Sequence, residues 1–279
     1  MKEPFLLNHH LLYCEPWMNK HQELIAGFTT QLGGISTGAF EGLNIAYHVG
    51  DDPKIVLQNR ETVAEQIKTP LNQWVFAQQL HTTTVHEVTR QDLGRGVDSF
   101  DSGIAACDGL YTKEKDIVLA TFYADCTPLY FFAPAHDVVG VAHAGWRGTV
   151  DGMMHAMLKT LKERENIAPE NIYVAIGPCI GQDAYRVDDT VINEVKKSNL
   201  ALAHTTYVQI SDTQYKFNPK LLNKLQALAE GIPEENILIS SYCTYTDRDL
   251  FYSYRRQKQT GRMMSFISLA SKKLSSFDL

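Results

Sequence analysis

The chain has 279 residues, 44% of them hydrophobic and 21% charged, with a formal net charge of −6. That composition suits a folded globular protein, long enough to bury roughly three quarters of its unfolded surface. The acidic balance, with no Lys/Arg run, excludes nucleic-acid binding driven by clustered cations, and no stretch approaches the roughly 18 apolar residues of a membrane span.

The opening stretch, MKEPFLLNHHLLYCEPW, carries an acid and a proline where a secretory signal needs a clean apolar core. Five widely spread cysteines form no disulfide framework. Both features predict a cytoplasmic protein with free thiols.

In chain order, strands are predicted at LIAGFTT from Leu24, WVFAQQ from Trp74, TVHEVT from Thr84, IVLATFYA from Ile117 and PLYFFA from Pro128. VVGVAHA from Val138, IYVAIG from Ile172, NILISSYC from Asn236 and the pair LFYSYRR and RMMSFISL follow. All are rich in β-branched and aromatic residues and punctuated by Gly, Asp or Pro. A helix is expected over Gln58 to Ile67. Another follows Thr149, where Val150, Met153, Met154, Met157, Leu158 and Leu161 recur at helical spacing. Asp189 is expected to cap a short helix through Val191, Ile192 and Val195. Asn218-Pro219 reads as N-cap and first helical residue, with Gly231 as the stop. Interleaved helices and strands predict a mixed α/β layered fold in one domain, residues 1–279. Strict βαβ alternation and a GxGxxG pattern are both lacking, which argues against a doubly wound nucleotide-binding fold.

Cys126 and His143 each sit at the edge of a strongly apolar run. They are core packing, a nucleophile with its base, or two ligands of a metal. The return from PLYFFA to VVGVAHA would bring them to one sheet edge. His81, after WVFAQQ, supplies a third donor, and His86 lies within the next strand. One Cys and two His suit zinc, with a fourth tetrahedral position left open for chemistry. Asp125 is a partner for a ligand, a general base or a turn carboxylate. AGWRGT places Arg147 at a predicted helix start, a candidate anion site, with Arg60 and the pair Arg255-Arg256 as further candidates.

In this order, QQLHTTTV, CDGLYT, YADCTPLYFF, VAHAGWRGT, AIGPCIG and SYRRQKQTGRM resemble the laccase-domain family of purine nucleoside phosphorylases, also called polyphenol oxidase or YlmD/YfiH-like. FTTQLGGISTGAFEGLNIAYHVGDD and the following Asn59-Arg60 match as well. The resemblance covers nearly the whole chain, and ADC with HAGWRG is its most specific part. It implies a layered α/β/β/α domain, similar to the catalytic domain of a deamidating bacterial toxin. It also implies one zinc ion held by His81, Cys126 and His143. The implied activities are phosphorolysis of adenosine, inosine and methylthioadenosine, deamination of adenosine, and copper-dependent oxidation of phenols. Purine nucleosides and phosphate would be the partners of a monomer or homodimer. The chain contains no His-x-His pair, so a four-copper laccase is not expected, although a single Cu2+ in the His2Cys site would support weak oxidation. Two other readings stay open: a cysteine hydrolase or deamidase using Cys126 and His143, and a binding module with a structural metal.

Overall fold

Alternation along the strands sets the architecture. In the strand Thr127–Ala133, Leu129, Phe131 and Ala133 point into one apolar cluster while Tyr130 and Phe132 point into another. In Met263–Leu269, Met263, Ile267 and Leu269 share the cluster of Tyr130, whereas Met264 and Phe266 enter a third. All these side chains are buried, so each strand is covered on both faces, and period-2 patterning resolves into a stack of layers.

The computed structural model describes residues 2–198 and 200–272. Two six-stranded mixed sheets pack face to face. The first runs in the order Phe5–Asn8, Leu11–Cys14, Leu24–Thr29, Met263–Leu269, Val118–Tyr123, Trp74–Phe76. The second runs Ile237–Ile239, Tyr173–Ile176, Thr127–Ala133, Val138–Ala144, Gly109–Thr112, Val85–Glu87. Val63, Ala64 and Ile67, from the helix Pro53–Gln66 and its end, cover the outer face of the first sheet. Helices Met153–Glu165 and Pro219–Ala229 cover that of the second. The order is therefore α/β/β/α, as expected. A three-stranded sheet, Arg186–Asp188, Gln214–Phe217 and Tyr207–Ser211, forms a small lobe with the helix Asp189–Lys197.

Local expectations hold with adjusted ends. The Asn218 side chain accepts from the Leu221 backbone N–H, the expected N-cap bond. The short helix is capped by Asp188 instead of Asp189, because it is the Asp188 carboxylate that accepts from the Thr190 N–H. The helix expected after Thr149 is broken in two, Trp146–Val150 and Met153–Glu165, by Gly152 at φ +87°. LFYSYRR is not a strand. Arg256 and Asp125 bind the backbone of this segment and of its neighbours, leaving no edge for a ladder. The N-terminal hairpin, the strand Gly109–Thr112 and the three-stranded sheet carry no strand expectation from the sequence. Among the described residues no helix is long and apolar enough to cross a membrane.

Candidate metal centre

Pairing between the two central strands of the second sheet builds the first half of the site. Thr127 lies opposite Ala144 and Pro128 opposite His143. Cys126, one residue before that strand, therefore arrives beside His143 at the same sheet edge. His81 reaches them from the loop after Trp74–Phe76, with its backbone left-handed at φ +59°. One ligand atom from each of His81, Cys126 and His143 lies within 4.8 Å of the others. His143 is 4% exposed, Cys126 half-buried and His81 open to the cavity. Two imidazoles and a thiol, with one side open, are a donor set that fits a catalytic zinc or a single copper.

The residue that organises this set is Asp108, to which CDGLYT gave no role in the sequence reading. Asp108 is fully buried. Its Oδ1 lies 2.8 Å from His143 Nδ1, and its backbone carbonyl accepts from the His143 N–H at 2.7 Å. This leaves the other ring nitrogen, Nε2, for a metal. The same carboxylate accepts from the backbone N–H groups of Leu80, His81 and Thr82 at 3.1, 3.2 and 2.8 Å, and from the Thr82 hydroxyl at 3.0 Å. One side chain thus holds His143 by its ring and His81 by its backbone turn. Burial would raise the Asp108 pKa, but the bonds from His143 and Thr82 outweigh it and hold the carboxyl low. Burial would likewise depress the His143 imidazole; the Cys126 sulfur and Asp108 win and hold it up at about 9. His81 is lowered by burial, with the charge of His143 adding to the effect.

Two further motif residues have local reasons. Gln79 clamps Phe122, accepting from its N–H at 2.6 Å and donating to its carbonyl at 2.9 Å, which ties the His81 loop to the strand leading to Cys126. Gly145 touches the centre: an added Cβ would lie 2.8 Å from His81 Nδ1 and 3.2 Å from Cys126 Sγ. Only a residue without a side chain leaves those donors their space.

The triad lines a cavity of about 580 Å³. One wall carries His48, Phe100 and Phe122; the other carries Trp146, Arg147, Tyr185, Arg255 and Lys258, with Arg262 also lining the cavity. Arg147 is exposed there, but its helix has only five residues, so the guanidinium and not a helix terminus is the anion-binding feature. The structure removes Arg60 from the anion-binding set. It is 2% exposed, and its guanidinium donates to the backbone carbonyls of Ile45, Gly96 and Val97 and lies against the rings of Tyr47 and Phe76. It supports the wall from behind. Asp125 lines the cavity, yet its carboxylate accepts from Thr244, Ser253 and the Arg255 N–H, at 2.7, 2.9 and 2.7 Å. It makes no bond to the three donors and instead anchors the loops that carry the cationic wall. Arg256 is spent on the carbonyls of Thr244, Tyr245 and Phe251. His86 faces Asp92, away from the centre.

Comparison with known proteins places this geometry in context. Residues 25–270 match the family model described as "Multi-copper polyphenol oxidoreductase laccase". The chain is 43% identical over 262 residues to the "Purine nucleoside phosphorylase YlmD" of Bacillus subtilis (strain 168), covering 92% of this chain and 94% of that one. Among solved structures, YlmD from Geobacillus stearothermophilus superposes with a TM-score of 0.93 at 40% identity, covering 96% of this chain and 100% of that one. The Bacillus licheniformis hypothetical protein YfiH superposes at 0.92 and 41% identity, covering 95% and 99%.

Proposed function

The chain belongs to the family described as multi-copper polyphenol oxidoreductase laccase, and from that premise we propose that it is a zinc-dependent purine nucleoside phosphorylase that also deaminates adenosine. The observation that carries the reading is the convergence of His81, Cys126 and His143 at a cavity with aromatic and cationic walls. Relatives named purine nucleoside phosphorylases support the substrate class, purine nucleosides and phosphate.

In this reading His81, Cys126 and His143 hold one zinc ion, which when bound supplies a Lewis acid and an acidified water. Arg147, Arg255, Lys258 and Arg262 hold the phosphate dianion. In phosphorolysis a phosphate oxygen bonds to C1′ of the ribose, the C1′–N9 bond breaks, and its electron pair leaves with the base, which takes up a proton. The cationic wall positions the nucleophile, and the fixed charges of the site stabilise the separating ones. In deamination water adds at C6 and ammonia leaves. Asp125 acts on both through the Arg255 loop it positions. Oxidation of phenols, the activity in the family's description, would need copper in the same three-donor site. Among the described residues this is the group placed to hold a metal, so a multi-copper cluster has no support here.

The test is product analysis with metal-quantified protein on adenosine, inosine and methylthioadenosine, with and without phosphate. Ribose 1-phosphate (5-methylthioribose 1-phosphate from methylthioadenosine) that requires phosphate, and inosine from adenosine that does not, are expected. Zinc-loaded protein yielding neither would sink the reading.

One observation favours a second reading. The line Asp108–His143–Cys126 is also the arrangement of a cysteine hydrolase, with the carboxylate orienting the base. A substrate-derived acyl adduct on Cys126, trapped and located by mass spectrometry, would select it over the zinc enzyme.

A further inference from the structure

His48 is unused by the reading above, and it belongs to the aromatic part of the cavity lining. Its ring lies 4.6 Å from that of Phe100 and 5.9 Å from that of Phe122, and all three line the metal cavity. The side chain is open to the cavity, and among the described residues neither ring nitrogen has a hydrogen-bond partner in the protein. Aromatic rings bracketing a polar edge are the chemistry that receives a nucleobase, by stacking on its face and by hydrogen bonding to its rim. Phosphate and ribose hydroxyls have no such demand, and the cations of the cavity answer the phosphate.

We propose that His48 reads the 6-substituent of the purine, accepting from a 6-amino group in one tautomer and donating to a 6-oxo group in the other. A neutral imidazole has one donor and one acceptor nitrogen, and the two exchange with the tautomer. A single side chain thereby serves adenosine-type and inosine-type bases that a fixed donor or acceptor would tell apart. The ring must stay neutral for this. Desolvation by the surrounding cavity lowers its pKa to about 4, and the charges of Arg262 and Arg60 add to that, so the ring is neutral at pH 7. The inference rests on the nucleoside reading above and deepens it.

The experiment compares wild type, His48→Phe and His48→Asn on adenosine, inosine and purine riboside, the last having no 6-substituent. His48→Phe keeps an aromatic ring against Phe100 and Phe122 and removes the hydrogen bond; Asn restores a donor and an acceptor. For His48→Phe, KM for adenosine and for inosine should rise about tenfold, the worth of one hydrogen bond. KM for purine riboside, KM for phosphate and zinc content should stay as in wild type, and Asn should recover part of the loss. Equal KM changes on all three nucleosides, or none on any, would overturn the assignment. If wild type turns over no nucleoside, the phosphorylase reading fails, and the same comparison by equilibrium binding still tests His48. Wild-type protein that binds none of the three overturns both.

Discussion

Asp108 and Asp125 flank the same three donor side chains, yet they anchor regions of different kinds. Asp108 is fully buried, and every bond its carboxylate accepts comes from His143 or from the turn 80–82 that carries His81. Asp125 is half-buried, and its partners, Thr244, Ser253 and Arg255, come from distant loops, one of which carries Arg255, Lys258 and Arg262 of the cavity lining. The floor is a closed network around buried donors; the wall is held by several loop contacts and is open on its cavity side. A metal tolerates errors of no more than about 0.2 Å in its ligand distances, whereas a wall must admit and release a substrate. The same residue type therefore does two jobs, and burial is what separates them.

Substitutions should separate the two regions in a definite order. Asp108→Asn strikes the floor hardest. It removes the charge that holds His143 and the 80–82 turn, and metal affinity should fall about 10- to 100-fold. Stability should drop as well, by about 3–5 kcal/mol, because a buried charge network is broken. Metal content after dialysis and a thermal melt check both; a variant that keeps its zinc and its melting temperature would show that Asp108 is not the organiser. Gly145→Ala also strikes the floor, but by crowding. Its methyl group would enter the space beside His81 and Cys126, so zinc should be lost by about tenfold in affinity while the fold survives. Metal titration followed by circular dichroism reads the two effects separately, and full zinc affinity would contradict the close approach. Asp125→Asn strikes the wall alone. It should retain zinc and raise KM for phosphate severalfold, on the order of 1 kcal/mol for a weakened charge-assisted bond. Loss of metal in this variant would erase the distinction between floor and wall.

Much of the layout is legible before any coordinates. PLYFFA and VVGVAHA are short apolar runs rich in β-branched and aromatic residues, and the structure pairs them so that Cys126 and His143 share an edge. Asn218-Pro219 starts a helix for the stated reason, a side-chain oxygen on a free backbone N–H. Arg60 shows where such reading stops. An arginine after Asn59 looks the same whether it faces phosphate or lies under two aromatic rings, because the sequence does not show which carbonyls will surround it. LFYSYRR failed for a related reason. It has the composition of a strand, but the distant Asp125 and the segment's own Arg256 occupy its backbone groups in place of a neighbouring strand.

Residue chemistry and local periodicity are properties of the chain itself. They determined most strands of the two large sheets, the principal helices and the three side chains able to share a metal. Which carboxylate steadies those side chains, and which arginines face the cavity, depended on contacts between residues 15 to 130 positions apart. Such contacts exist only once the sheets have packed and buried some groups while leaving others in reach of solvent. Burial decides what a charged group costs and what it can bind, and burial is a property of the folded whole.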